Sequence, residues 1–269
     1  MSVRTLVTSR DLVPGECLAL DLGFGEVVAC TARAPYKTDD APNEDNLAVF
    51  RLDDDSHVLV IADGVGGSPG GEVASDLVIA RLASHLADLD DDTLVTATLI
   101  AAIEEAHEEI KSTVSVGAST VAIAYIEAGT FRTLHVGDSV VMQCGQRGKL
   151  KLETIAHSPV GYALEAGVLS EDEAFAHEDR HVVSNIVGGQ EMSIALGAVM
   201  SIEPRDTLLV ATDGVTDNLR QWEIIEMVRK GKLISCGMQL AEGAQQQMRD
   251  EGGKPDDMTF ILFRRKAQK

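Results

Sequence analysis

Residues 58–76 read Val58-Leu-Val-Ile-Ala-Asp63-Gly64-Val65-Gly66-Gly67-Ser68-Pro69-Gly70-Gly71-Glu72-Val-Ala-Ser-Asp76. The apolar run Val58 to Ala62 predicts a strand buried on both faces. Asp63 stands where that strand leaves the core. The glycines that follow forbid regular structure and let the backbone approach a ligand closely. An amphipathic helix is expected from about Gly71 to Glu72. Two phosphate-binding loops are excluded. The dinucleotide fingerprint needs a glycine where Pro69 stands, and the nucleotide P-loop needs Lys then Ser or Thr where Glu72 and Val73 stand. An acid at the mouth of the turn repels phosphate unless a cation lies between them, so the turn points to a metal.

Around this stretch the chain supplies more acids of the same kind. Asn43-Glu44-Asp45-Asn46 leads into Leu47 to Leu52, and Asp53-Asp54-Asp55-Ser56 is a turn, so 47–62 is a hairpin. Glu44 and Asp45 thus enter one strand at the end where Asp63 leaves its antiparallel partner. Gly25 to Thr31 is a further strand, after an ambiguous start over 1–25. Downstream, Val78, Leu82, Leu86 and Leu89 form one helical stripe and Leu99, Ile103, Ala106 and Ile110 another, separated by the acidic turn Asp88 to Thr93. A β-meander is expected over 115–144, turning at Glu127-Ala-Gly129 and again at Gly137-Asp138-Ser139. Residues 145–200 read as a flap, with Ser170 and Glu173 forming a capping box. Asp206-Thr-Leu-Leu-Val-Ala-Thr212-Asp213-Gly214-Val-Thr-Asp217 then repeats the opening device of apolar strand, aspartate, glycine and helix. Helices at about 221–230 and 233–250 follow, and Lys254-Pro255-Asp256-Asp257 opens a last strand, Met258 to Phe263. Antiparallel strand groups with paired helices give an α+β class built of stacked layers.

Composition narrows the function. The 269 residues include 43 acidic against 23 basic, a formal charge of −20, with 45% hydrophobic residues. Such a balance argues against a nucleic-acid surface, which needs clustered Lys and Arg. The widely spaced Cys17, Cys30, Cys144 and Cys236 read as reduced core thiols of a cytoplasmic protein. None is followed six positions later by Arg, which excludes the loop of cysteine-dependent phosphatases. No apolar run reaches the ~18 residues of a membrane span, and the first ten residues are too polar for a signal peptide.

An aspartate at a strand end is ordinarily a turn former or helix cap. Glu44-Asp45, Asp63, Asp138, Asp213 with Asp217, and Asp256-Asp257 differ as a set. Carboxylates converging on one sheet edge repel, or bind protons, unless cations neutralise them. Hard oxygen ligands with no His or Cys beside them suit magnesium, manganese or calcium rather than zinc. His135 reads as a core residue, His57 as part of a turn, and His157, His177 and His181 as flap residues.

Taken in order, Asn43-Glu44-Asp45, Ala62-Asp63-Gly64-Val65-Gly66-Gly67, Gly117-Ala-Ser-Thr120, Val136-Gly137-Asp138-Ser139, Thr212-Asp213-Gly214-Val-Thr-Asp217 and Asp256-Asp257-Met-Thr259 resemble the metal-dependent serine/threonine protein phosphatases of the PPM (type 2C) family, in a bacterial-like form. The likeness runs from about 25 to 263. It implies one phosphatase domain over 1–269, a four-layer α-β-β-α sandwich of two mainly antiparallel sheets flanked by helix pairs, and two divalent cations, manganese or magnesium, at one end. Carried over by position, Asp63 bridges both ions and the Gly64 carbonyl binds one. Asp213 and Asp256 complete one ion, and Glu44 and Asp45 hold the other, directly or through water. Asp138 and Asp217 match residues that bind a third, weaker ion in several members. The resemblance further implies attack by a metal-bridged hydroxide on phosphoserine and phosphothreonine of proteins, with a serine/threonine kinase as counterpart.

The chain departs from the family in three places. The arginine three residues before Asn43 is replaced by Asp40, and Arg33 is the proposed substitute as phosphate anchor. Val65 stands where some members carry a histidine. Asp257 stands where the family usually has asparagine. A second class stays open: a catalytically silent member that binds a partner or senses metal. A haloacid-dehalogenase phosphatase is excluded because Ile61 and Ala211 occupy the first position of its Asp-x-Asp, and a calcium-binding hand because Asp53 to Val58 lacks its glycine.

Overall fold

The alternation of side chains along each strand decides where every layer packs. In β5 (Ser56–Asp63), Val58, Val60 and Ala62 face a pair of helices, while Leu59 and Ile61 face a second sheet. Period-two alternation with apolar residues at every position buries both faces, as a strand between two layers requires. The structure is a computed structural model that describes residues 3–38, 41–65, 70–90, 94–113, 117–250 and 252–266.

In chain order the strands are β1 (Arg4–Thr8), β2 (Cys17–Asp21), β3 (Gly25–Ala32), β4 (Asp45–Arg51), β5, β6 (Val121–Glu127), β7 (Thr130–Val136), β8 (Val140–Cys144), β9 (Leu150–Glu153), β10 (Ala195–Leu196), β11 (Met200–Ser201), β12 (Thr207–Ala211) and β13 (Met258–Arg265). The helices are α1 (Gly71–Ala87), α2 (Val95–Ser112), α3 (Pro159–Glu165), α4 (Glu171–Phe175), α5 (Asp213–Thr216), α6 (Gln221–Val228) and α7 (Leu233–Arg249). One sheet of seven strands runs β1-β4-β5-β6-β7-β10, with β11 also on β7; the other, of six, runs β2-β3-β13-β12-β8-β9. All pairings are antiparallel. Leu82, Leu99 and Ile103 of α1 and α2 cover the first sheet. Leu47, Ile61, Val210 and Ile261 fill the space between sheets, and Val228, Leu240 and Phe260 join the second sheet to α6 and α7. Each fully buried side chain of this kind stabilises by ~1.5–3 kcal/mol. The result is the expected α+β sandwich of four layers. Among the described residues no helix is long and apolar enough to cross a membrane.

Several expectations need correction. The ambiguous start holds two strands, one added to each sheet. The stretch 115–144 is a hairpin followed by a crossover, not a meander: β6 pairs β7, but β8 pairs β12 and β9 in the other sheet. Gly137 makes the crossing. Its φ is 104°, and a Cβ there would lie 2.6 Å from the Thr120 side chain, so a side chain is excluded on both counts. His57 is not in a turn; it is fully buried in β5, 5.1 Å from the Phe24 ring, with neither ring nitrogen hydrogen-bonded. Burial pushes its pKa down to about 4, so it packs as a neutral ring. The capping box at Ser170 and Glu173 forms as expected and starts α4. Gly66 to Pro69, Asp40, the end of the acidic turn (91–93) and the start of the Ser115 stretch (114–116) lie outside the described residues.

Candidate metal centre

The hairpin places the first acids. Register pairs Asp45 of β4 directly with Asp63 of β5. The Gly64 N–H donates to the Glu44 carbonyl at 3.0 Å, and a Cβ on Gly64 would stand 2.3 Å from the Gly71 carbonyl oxygen. Glycine follows Asp63, then, because the start of α1 packs onto this backbone. Asp63 is clamped from β6. Its N–H donates to Thr120 Oγ1 at 3.2 Å, and its carbonyl accepts the Thr120 N–H at 2.8 Å and the Ser119 hydroxyl at 3.0 Å. Thr120 Oγ1 also pairs with Ser139 Oγ at 2.7 Å, which ties the Asp138 turn to the same point. From the other side His157 buttresses that turn: its N–H donates to the Gly137 carbonyl, and its Nδ1 accepts the Gly137 N–H at 3.1 Å. His135 stacks on His157 with centroids 4.4 Å apart and bonds the Ile155 carbonyl through Nε2, while its Nδ1 has no partner.

The second sheet brings the remaining acids. Asp213 opens α5 at the end of β12, one turn before Asp217. A Cβ on Gly214 would lie 2.0 Å from the Asp257 carbonyl oxygen, so the second Asp-Gly pair has the same packing cause as the first. Thr212 Oγ1 donates to Asp45 Oδ2 at 2.9 Å and so fastens the two sheets together at the site.

Electrostatics report how closely the acids converge. Burial raises the Asp63 pKa well above the carboxylate range, with further upward pushes from Asp45, Asp213, Asp138 and Asp256. Asp45 is raised likewise, by burial, then Asp257, then Asp213. Burial followed by Asp213 brings Asp138 to about 8, Asp256 to about 7 and Asp217 to about 6. Such carboxyls either hold protons or surround a cation. Their oxygens, with no thiol or imidazole among them, fit a hard divalent ion. Among the described residues no three acids close round one point as a metal shell.

Not every candidate turns to this cluster. The Glu44 carboxylate pairs with Lys37 Nζ at 2.8 Å, and the same ammonium reaches Asp257 Oδ2 at 2.6 Å. Asp257 also accepts the Ala34 and Glu44 N–H groups, so it organises backbone. The Arg33 guanidinium donates to the carbonyls of Thr38 and Ala41 at 3.2 and 3.3 Å. Sequence reasoning missed Lys37 and Lys254. No basic residue adjoins Asp63, Asp138 or Asp213 along the chain, yet Lys254 Nζ lies 2.6 Å from both Asp213 Oδ2 and Asp217 Oδ2. Its place two residues before Asp256 was the available signal. A groove of about 690 Å³ leads outward from Asp138, Asp213 and Asp217 between the α3–α4 segment and α6, past Val160, Phe175 and Trp222.

The family model for protein phosphatase 2C matches residues 36–250. The serine/threonine phosphatase PstP of Mycobacterium tuberculosis is 29% identical over 228 residues, covering 82% of this chain and 42% of PstP. The chain therefore spans less than half the length of that relative. The serine/threonine phosphatase stp of Listeria monocytogenes is 28% identical, covering 83% of this chain and 90% of its own. Among solved structures, the Streptococcus agalactiae serine/threonine phosphatase superposes with a TM-score of 0.78 at 25% identity, over 90% of this chain and all of that one. The PstP catalytic domain in complex with two manganese ions superposes with a TM-score of 0.72 at 24% identity, over 90% of this chain and 98% of that one.

Proposed function

The chain belongs to the protein phosphatase 2C family, and from that premise we propose that it hydrolyses phosphoserine and phosphothreonine on proteins with divalent cations held by its strand-end acids. The convergence of Asp45, Asp63, Asp138 and Asp256 beside Asp213, these four raised by burial and by neighbouring carboxylates so that they hold protons unless a cation is bound, carries this reading. Manganese or magnesium held there would supply Lewis acidity and lower the pKa of a water for phosphate-ester hydrolysis. The chain's own residues do the rest. Asp63 and the Gly64 carbonyl, with Asp213 and Asp256, are the proposed holders of the inner ions; Asp45 and Glu44 complete them, Glu44 after release from Lys37. Asp138 and Asp217 lie on the outer side. The groove beside α3 and α4 receives the polypeptide around the phosphorylated residue, which makes 145–200 a flap of a single domain. A phosphoprotein substrate, a serine/threonine kinase as counterpart and a cytoplasmic setting belong to the same proposal.

Purified protein hydrolyses p-nitrophenyl phosphate with manganese and stops when a chelator is added; activity that survives chelation removes the proposal. Saturating manganese also raises the melting temperature. At ~100 times its dissociation constant one ion contributes about 2.7 kcal/mol, or roughly 5–10 °C for a chain of this size. An unchanged melting temperature means that the acids hold no ion.

Arg33 is the proposed phosphate anchor, and Arg33→Ala then raises KM several-fold more than it lowers kcat. The two carbonyl bonds it makes favour a second reading, a loop brace in a silent, partner-binding or metal-sensing member. That reading gains if KM is unchanged while the melting temperature falls.

A further inference from the structure

The loop between α7 and β13 is fixed before its side chain is considered. The Lys254 N–H donates to Asn218 Oδ1 at 2.9 Å, and Asn218 Nδ2 donates back to the Lys254 carbonyl at 2.8 Å and to the Gly214 carbonyl at 3.0 Å. Asn218 directly follows Asp217, so the backbone of Lys254 is bolted to the turn that presents Asp213 and Asp217. Gly253 is required there, since a Cβ would lie 1.9 Å from the Gln247 carbonyl oxygen. The ammonium is thereby delivered at 2.6 Å from Asp213 Oδ2, 2.6 Å from Asp217 Oδ2 and 3.9 Å from Asp256 Oδ2.

This is the flank of the centre, facing Asp138 and Asp217, where the family resemblance calls for a third, weaker metal ion. Resting on the two-cation reading above, we infer that Lys254 is a built-in cation standing in the place of that third ion, so that this chain binds two divalent cations and not three. The ammonium is a compact point charge with three donors, suited to bridging two carboxylates. A divalent ion entering between Asp138 and Asp217 meets the ammonium and an Asp217 oxygen already engaged by it.

The test counts manganese on the full-length chain, by equilibrium dialysis with metal analysis and by the electron paramagnetic resonance of free Mn²⁺. The wild-type chain is expected to hold two ions up to millimolar manganese. Lys254→Met gains a third, bound at least about tenfold more tightly than any third ion on the wild type, and Lys254→Arg, which keeps the charge, stays at two. Lys254→Gln is read in place of a Lys254→Met protein that does not fold. A third ion on the wild-type chain with unchanged affinity in Lys254→Met overturns the inference, as does a stoichiometry of two in both neutral variants. A chain that binds no manganese in any form overturns the two-cation reading and the inference with it, and the zero stoichiometry tells that failure from the others.

Discussion

Asp63→Ala and Asp213→Ala each lower kcat/KM for p-nitrophenyl phosphate by ~10³-fold or more, about 4 kcal/mol of transition-state stabilisation, while metal-free Asp63→Ala melts no lower than the wild type. The two halves of this result come from one cause. Asp63 is held by backbone bonds from Thr120 and Ser119, which do not depend on its carboxylate. What the carboxylate adds to the metal-free fold is unfavourable, because burial and the charges of Asp45, Asp213, Asp138 and Asp256 all press it to bind a proton. Removing it relieves that pressure, as expected where binding chemistry is built at the expense of stability. Activity is measured across a manganese titration and melting in chelator. Activity near wild type in both variants places the reaction elsewhere. Lost activity with a collapsed melting temperature makes Asp63 a structural residue and removes the catalytic interpretation.

The parts of this site that were legible in the sequence share a physical basis. A strand that ends in Asp-Gly, twice, announces itself because apolar runs and glycine are local signals, and hairpin geometry then forces Asp45 opposite Asp63. The order of the six motifs added the fold, since spacing alone does not say how two sheets stack. Other features were not local. Gly137-Asp138-Ser139 looks like any tight turn, and only its contacts with Thr120 and His157 make it a crossover between sheets. His57 follows an acidic turn by one residue, yet strand pairing with Ile126 pulls it into the interior. The glycine after Asp63 reads from the sequence as room for a ligand, but Gly64 and Gly214 also make room for backbone from Gly71 and Asp257. The lysines escaped notice because charge partners distant in sequence leave no periodic trace. Lys37 lies 220 residues from Asp257 and Lys254 lies 41 from Asp213.

Lys37 also accounts for the departure at Asp257, and this leads to the largest stability effect expected of a single substitution. Asp257 is 3% exposed, with Oδ1 accepting the Ala34 N–H at 2.8 Å and Oδ2 accepting the Glu44 N–H at 2.7 Å. The asparagine usual in the family is neutral; the carboxylate here needs a positive partner in a site closed to water. Lys37, 11% exposed, is that partner, at 2.6 Å from Oδ2, and it also bonds Glu44 and the Pro42 carbonyl. Burial opposes its charge, but the bonds to Asp257 and Glu44 raise its pKa above the usual lysine value. Breaking a buried pair from one side costs ~3–5 kcal/mol because the other charge stays behind. With Lys37 slightly exposed, Lys37→Met is expected to cost about 2–4 kcal/mol, or roughly 5–12 °C in melting temperature. Asp257→Asn in the Lys37→Met background recovers at least half of that loss, since an amide carries no charge and still accepts the Ala34 N–H. Urea unfolding of the wild type, both single variants and the double variant, all in chelator, gives the coupling directly. A coupling of ~1.5 kcal/mol or more ties lysine and aspartate together as one paired departure from the family. Strict additivity of the two changes would separate them and leave Asp257 without a physical reason to be charged.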